Sequence, residues 1–212
     1  MNHPPPQFAT AAASFREGTE DRALVFPVGD GWVVCVADGT GGASGAALAA
    51  EMFVAGVRRA VEERGLDIRE PDAFVALLED LDHQIKRHPT ASETTGIALA
   101  LTPASLAGAS AGDSRAWLFT ADSAIELTAD QVRKPRVGTG GALPRSFAAA
   151  ATGTLVVGTD GLFDNVAIAD IAAIARAGPP AAAAEALVRD LRGRFRALPD
   201  DVAVVVGRLD GV

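Results

Sequence analysis

"VVCVADGTGGASGAALAAEMF", from Val33 to Phe53, decides how the rest of the chain is read. An apolar run stops on Asp38, three glycines (Gly39, Gly41 and Gly42) follow within four residues, and a small-residue stretch then begins. The apolar run reads as a buried strand, the glycines as a tight turn, and Ala43 to Arg64 as a helix. A carboxylate at the mouth of a buried strand needs a partner, because burying an unpaired charge is costly. The same form, apolar run then Asp then Gly, recurs in "LVVGTDG" at 155–161.

Working outward, "RALVFPV" (22–28) and "WVVCVA" (32–37) read as strands joined by a Gly29–Gly31 turn, a hairpin by its turn chemistry. Pro71 to Arg87 reads as a helix, with Phe74, Leu77, Leu78, Leu81 and Ile85 at helical spacing. Residues 94–119 read as two or three strands with short turns. Residues 129–150, with three glycines and two prolines, read as an irregular, candidate mobile loop. A strand at 152–160, helices at about 167–177 and 180–197, and a closing strand in "DDVAVVVGRL" (200–209) complete the chain. Short turns between neighbouring strands favour antiparallel pairing. Helices that come in pairs between groups of strands indicate an α+β layered fold rather than a doubly wound parallel sheet. The proline- and alanine-rich start reads as a flexible arm over 1–15, with a single domain at 16–212.

Of 212 residues, 49% are hydrophobic and 22% charged, the balance of a globular domain with a core of useful size. The net charge of −8 comes from 19 basic and 27 acidic residues. Without a basic run, nucleic acid and anionic membrane are not expected partners. No apolar stretch is long enough to span a membrane, and "MNHPPPQFATAAASF" has no basic region followed by an apolar core, so no signal peptide is read. Cys35, the only cysteine, falls in an apolar strand and reads as a small core residue, which fits a reducing cytoplasm.

Acidic residues recur at strand ends: Asp21 beside Glu20, Asp38, Asp113, Asp160, and the pair Asp200–Asp201. Each alone could be a local turn or strand cap. Met at one end of a sheet, they would repel and raise one another's pKa, and a bound hard cation would remove that repulsion. Oxygen-only ligands favour Mg²⁺ or Mn²⁺ over Zn²⁺. A turn after Asp38 would offer the Gly39 carbonyl as a further oxygen.

"RxxxED" at Arg16–Asp21, "ADGTGG" at 37–42, "AGDSRAWLF" at 111–119, "GTDGLFD" at 158–164 and "DDVAVVV" at 200–206 resemble, in order and over nearly the whole chain, the motifs of the type 2C metal-dependent (PPM) protein phosphatases. The resemblance implies a four-layer α-β-β-α sandwich, two antiparallel sheets flanked by helix pairs. It implies Asp21 as ligand of one metal, Asp38 as bridge between two, the Gly39 carbonyl as ligand, and Asp160 and Asp200 as the residues that complete the coordination of the other metal. Asp113 matches the ligand of a weaker third ion, and Arg16 the arginine that grips substrate phosphate. Glu20 and Asp201 take supporting places, with Glu20 orienting a water. Asp38, Asp160 and Arg16 are thus the expected catalytic set, with Mn²⁺ or Mg²⁺ as cofactor.

This chemistry suits those residue types. Two metals about 3.5–4 Å apart can lower the pKa of a water and offset charge growing on a phosphoryl group, and arginine can hold phosphate bidentately. The expectation is a cytoplasmic, monomeric phosphatase acting on phosphoserine and phosphothreonine in proteins, opposing a Ser/Thr kinase.

The chain departs from the family in four places. No histidine matches the usual leaving-group acid, since His3 lies in the arm and His83 and His88 around the end of the second helix. Asp201 stands where Asn is common, and Phe163 where Trp is common. "VRKPRVGTGGALPRSF" (132–147) replaces a longer flap, and its Arg133, Lys134, Arg136 and Arg145 read as a solvated loop.

Rival readings fail on spacing. A dinucleotide-binding pattern from Gly39 needs Gly where Ser44 stands, and a P-loop needs a lysine that the segment lacks. Ser114 as a hydrolase nucleophile lacks the strand–turn–helix elbow and a downstream histidine. The competing class is a catalytically weak or inactive phosphatase-fold module that binds phosphoproteins.

Overall fold

The alternation of apolar runs with turns resolves, in a computed structural model describing residues 7–15, 18–40, 44–103 and 105–209, into eleven strands and five helices among those residues. In chain order the strands are β1 Gln7–Ala13, β2 Asp21–Val28, β3 Gly31–Thr40, β4 Glu93–Thr94, β5 Gly96–Leu101, β6 Leu106–Ala111, β7 Arg115–Phe119, β8 Ala124–Glu126, β9 Arg145–Ala149, β10 Thr154–Gly158 and β11 Val202–Arg208. The helices are α1 Ser44–Glu62, α2 Pro71–Arg87, α3 Asp160–Phe163, α4 Ile168–Arg176 and α5 Pro180–Arg194.

The strands form two antiparallel sheets, β1-β11-β10-β7-β8 and β2-β3-β5-β6-β9, with β4 paired to β3. Three apolar clusters stack across them. Val34, Val36, Ile97, Leu99, Leu118, Leu155 and Val205 fill the space between the sheets. Helices α1 and α2 cover one outer face through Phe53, Val57, Phe74, Leu78 and Ile85. Helices α4 and α5 cover the other through Ile171, Ala184, Leu187 and Leu191. The result is the expected four-layer α-β-β-α sandwich. Strands buried on both faces read as unbroken apolar runs, as in β5, β10 and β11, whose first five or six residues are all buried.

The structure corrects three local expectations. Residues 7–13 of the presumed arm are β1, paired along their length with β11 from Gln7↔Arg208 to Ala13↔Val202. Small alanines hid this strand: they leave no obvious apolar run, yet β1 covers what would otherwise be the open edge of β11. Residues 1–6 lie outside the described residues. The 129–150 segment holds a further strand, β9, on the β6 edge, and its alternation of exposed and half-buried residues left no strong apolar signal. The rest of that segment is stitched down. Val137 exchanges both backbone hydrogen bonds with Thr94, at 2.8 and 3.0 Å, and the Gly112 N–H donates to the Val132 carbonyl at 3.0 Å. Finally, β3 runs on through Gly39 to Thr40, so the strand does not turn at Gly39.

Gly39 is needed for close approach instead. A Cβ there would lie 2.3 Å from the Ala46 carbonyl oxygen of α1, a distance no side chain tolerates. Phe53 plays the complementary role on the same helix: its ring lies over Gly96, where a Cβ would come within 2.3 Å of it. Phe53 is fully buried, so Phe53→Ala should lower unfolding stability by about 3–5 kcal/mol. Urea denaturation measures this, and a loss below about 1 kcal/mol would contradict the packing described here.

Candidate metal and phosphate site

Register brings the acidic strand ends together. On the β2/β3 pair, Asp21 stands directly opposite Asp38, and residues in such cross-strand positions project to the same face. Asp113 lies where the chain crosses from β6 in one sheet to β7 in the other. The crossover is placed by Gly96↔Ala111 on one side and Arg115↔Gly158 on the other. Gly158 in turn pairs with Val204, so the end of β10, which leads into Asp160, and the start of β11, which follows Asp200 and Asp201, lie at the same end of the sandwich. Oxygens of Asp38, Asp113 and Asp160 lie within 4.8 Å of one another.

Hydrogen bonds hold this end closed. The Asp38 N–H donates to the Thr95 hydroxyl at 3.0 Å. The Asp38 carbonyl accepts from the Thr95 N–H at 2.8 Å and from the Thr94 hydroxyl at 2.9 Å. Thr159 bridges the sheets: its hydroxyl accepts from the Ala203 N–H at 3.0 Å and bonds the Asp21 carboxylate. Asp201 fastens the segment ahead of β2, accepting from the backbone N–H of Phe15 at 2.6 Å and of Glu20 at 2.7 Å. The Asp201 N–H donates to Asp200 Oδ1 at 2.8 Å.

The two members of the "DD" pair therefore differ. The buried Asp201 has both oxygens engaged by backbone N–H groups, whereas the exposed Asp200 is close enough to raise the pKa of Asp38 and Asp160. Glu20 is half-buried beside Asp21. Arg16 lies outside the described residues.

Electrostatically the cluster is under strain. Asp38 is pushed up from 3.8 to about 9, first by burial and then by the charges of Asp21 and Asp160. Asp21 rises to about 7, through burial and the charge of Asp201, against the opposing hydrogen bond from Thr159. Asp160 is raised by burial and then by Asp113 and Asp200. Among the described residues, the buried oxygens Asp21 Oδ2 and Asp113 Oδ1 have no hydrogen-bond partner. Buried polar atoms are otherwise almost always paired. Orphaned carboxylate oxygens in a crowded, all-oxygen cluster are what a hard divalent cation would satisfy, so the residues fit the metal expected for them.

Sequence reasoning missed the hydroxyl framework of Thr94, Thr95 and Thr159. The only signal was position, since each sits at a strand mouth beside a site aspartate or its partner strand. It also missed that Asp113 Oδ2 is held by Arg136 at 3.0 Å and Arg133 at 3.3 Å. Ser114 is buried with its hydroxyl 2.6 Å from that of Thr95, a framework role rather than that of a nucleophile. Cys35 is fully buried and its thiol is pushed up to about 12 by burial, which leaves no thiolate for chemistry.

Residues 28–210 match the family described as Stage II sporulation protein E (SpoIIE). No curated protein matches the chain. Among solved structures, PppA, described as a key regulatory component of T6SS in Pseudomonas aeruginosa, is similar at 20% identity. That match covers 97% of this chain and 98% of that one, with a TM-score of 0.80. The S. agalactiae serine/threonine phosphatase is similar at 20% identity, with 96% and 98% covered and a TM-score of 0.81. The catalytic domain of the serine threonine protein phosphatase PstP, in complex with 2 manganese ions, is similar at 24% identity, with 96% and 97% covered and a TM-score of 0.74. At these identities the likeness is one of fold.

The raised carboxyls set a pH dependence for the metal-free protein. Unfolded, Asp21 and Asp38 ionise near 3.8, and folded they keep their protons to about 7 and about 9. The folded state therefore binds more protons across that window, and its stability falls as pH rises through it. EDTA-treated protein should melt at a lower temperature at about pH 9 than at about pH 5. Saturating Mn²⁺ should raise Tm most at the alkaline end, and Asp38→Asn should flatten the metal-free slope. A metal-free Tm that rises steadily over this range would contradict the clustering.

Proposed function

Because this chain belongs to the SpoIIE family and has the fold of the type 2C bacterial Ser/Thr phosphatases, we propose that it hydrolyses phosphoserine and phosphothreonine esters on proteins with Mn²⁺ or Mg²⁺. The observation that carries this reading is the convergence of Asp21, Asp38 and Asp160 at one end of the sandwich, with the buried Asp21 Oδ2 left unpaired. Carboxylates gathered in this way from three separate stretches of chain have no structural task that a neutral side chain would not perform at less electrostatic cost.

In this reading Asp21, Asp38, the Gly39 carbonyl, Asp160 and Asp200 hold two divalent ions. When bound, these ions supply an activated water and stabilise charge on the phosphoryl oxygens. The chain's own residues do the rest. Asp38 stands between the two sheets' contributions, opposite Asp21 and within reach of Asp160, the place for a shared ligand. Its backbone is clamped by Thr94 and Thr95, so its carboxylate is aimed before any ligand arrives. That saves the reorganisation a floppy ligand would require. Arg16 grips the substrate phosphate and Glu20 orients the water, while Asp201 holds the backbone N–H groups of Phe15 and Glu20.

The single domain over 16–212 is read as the catalytic unit, monomeric and cytoplasmic, with a Ser/Thr kinase acting in opposition. None of the described helices is long and apolar enough to cross a membrane, and a phosphoprotein is the expected partner.

Hydrolysis of p-nitrophenyl phosphate by the purified chain, dependent on Mn²⁺ and abolished by EDTA, tests the proposal. Phosphopeptide binding without turnover would instead support the binding module. Asp38→Asn should lower kcat/KM by several orders of magnitude with the fold intact by circular dichroism. Arg16→Ala should act mainly on KM, and an unchanged KM for phosphate esters would remove Arg16 from the phosphate-gripping role.

A further inference from the structure

Asp113 serves two neighbourhoods at once. It is 5% exposed. One carboxylate oxygen, Oδ2, accepts from Arg136 Nη2 at 3.0 Å and Arg133 Nη2 at 3.3 Å. The other, Oδ1, has no hydrogen-bond partner among the described residues, while an oxygen of the same side chain lies within 4.8 Å of oxygens on Asp38 and Asp160. A carboxylate already neutralised by two guanidinium groups is a poor ligand for a further cation, because like charges at this range repel and the guanidinium keeps its charge at any accessible pH.

The two arginines are not equivalent. The Arg133 side chain is 63% exposed and that of Arg136 only 18%, and solvent screening weakens the outer one. Arg136 is also held from behind. Its neighbour Val137 is locked to Thr94, whose hydroxyl bonds the Asp38 carbonyl. The next turn is bound by Asp82, a carboxylate on α2 that is 2% exposed. Its Oδ1 accepts from the N–H of Gly138 at 2.7 Å and of Gly140 at 2.8 Å, and its Oδ2 accepts from the N–H of Ala142 at 3.1 Å. A buried carboxylate spent on three backbone donors of one loop fixes where that loop, and hence Arg136, can lie.

We propose that Arg136, with Arg133 as its outer partner, is a built-in counter-cation that disfavours a third divalent ion at Asp113, and that Asp82 is the positioning residue that keeps it there. The proposal rests on the two-ion phosphatase reading and sharpens it: the weaker third site is held closed by the chain's own cations, leaving two ions in the resting protein.

The test counts ions rather than turnover. Mn²⁺ is titrated into the full-length chain and free Mn²⁺ is followed by electron paramagnetic resonance. Wild type should bind two ions, with a third only weakly. Arg136→Gln, polar but shorter and without the charge, should tighten the third ion by about tenfold or more, as expected when a like charge beside a binding group is removed. Arg136→Lys should change it little. Adding Asp113→Asn to Arg136→Gln should abolish the gain, and Asp82→Asn, which retains one acceptor oxygen, should reproduce part of it. Circular dichroism establishes that each variant is folded, and Arg133→Gln, at an exposed position, gives a smaller shift in the same direction should Arg136→Gln fail to fold. Two bound ions with an unchanged third-ion affinity in a folded Arg136→Gln or, failing that, Arg133→Gln variant overturn this inference alone. Failure of wild type to bind any Mn²⁺ overturns the phosphatase reading with it.

Discussion

Mutual repulsion among aspartates at the seam of two β-sheets is the constraint around which this molecule is organised. Asp21, Asp38 and Asp160 are held close enough, and deep enough, that burial and neighbouring charge lift Asp21 and Asp38 well above the ordinary carboxylate range and raise Asp160 as well. A fold would discard such an arrangement unless something offset the cost, because apolar side chains in the same places would pack with less penalty. The two sheets, the strand register and the crossover between β6 and β7 all act to keep these groups together.

The other acids show how one residue type takes different tasks according to its surroundings. Asp201 and Asp82 are as deeply buried as the cluster, yet each accepts hydrogen bonds from backbone N–H groups on both oxygens. A carboxylate satisfied in that way is a structural clamp, and both clamps hold segments that border the cluster. Asp201 holds the approach to β2, and Asp82 the turn beyond Arg136. Asp113 stands between the classes, with one oxygen paired and one open. Sorting the acids by what their oxygens accept separates ligand candidates from framework more sharply than burial does.

Much of this was legible in one dimension. The strand-then-Asp-then-Gly form at Val33–Gly39 and again at 155–161 marked two of the cluster's members, and the helix pairs between groups of strands indicated the layered fold. Apolar periodicity worked where side chains are large, as along α2, whose Phe74, Leu77, Leu78, Leu81 and Ile85 are all buried. It failed where burial is achieved with alanine. Strand β1 disappears into "QFATAAA" because a methyl group contributes little contrast, although the strand is paired over its whole length. The 129–150 segment read as loose because its glycines and prolines carry no periodicity. Its anchors, Thr94, Gly112 and Asp82, lie far away in sequence.

The sequence by itself determined the chemistry on offer: an all-oxygen set of carboxylates at strand ends, a single cysteine in an apolar run, and a layered α+β order of elements. These follow from composition and short-range pattern, which act within a few residues of chain. Only the tertiary structure decided which carboxylates face one another, that Asp201 is buried and spent on backbone N–H groups of a distant segment while Asp200 stays exposed beside the cluster, and that Arg136, next to a turn pinned by Asp82, reaches Asp113. Those outcomes depend on strand register and on contacts between residues tens of positions apart. The energies involved, Coulomb repulsion and the desolvation of single oxygens, do not exist until the sheets bring the groups within a few ångströms of one another.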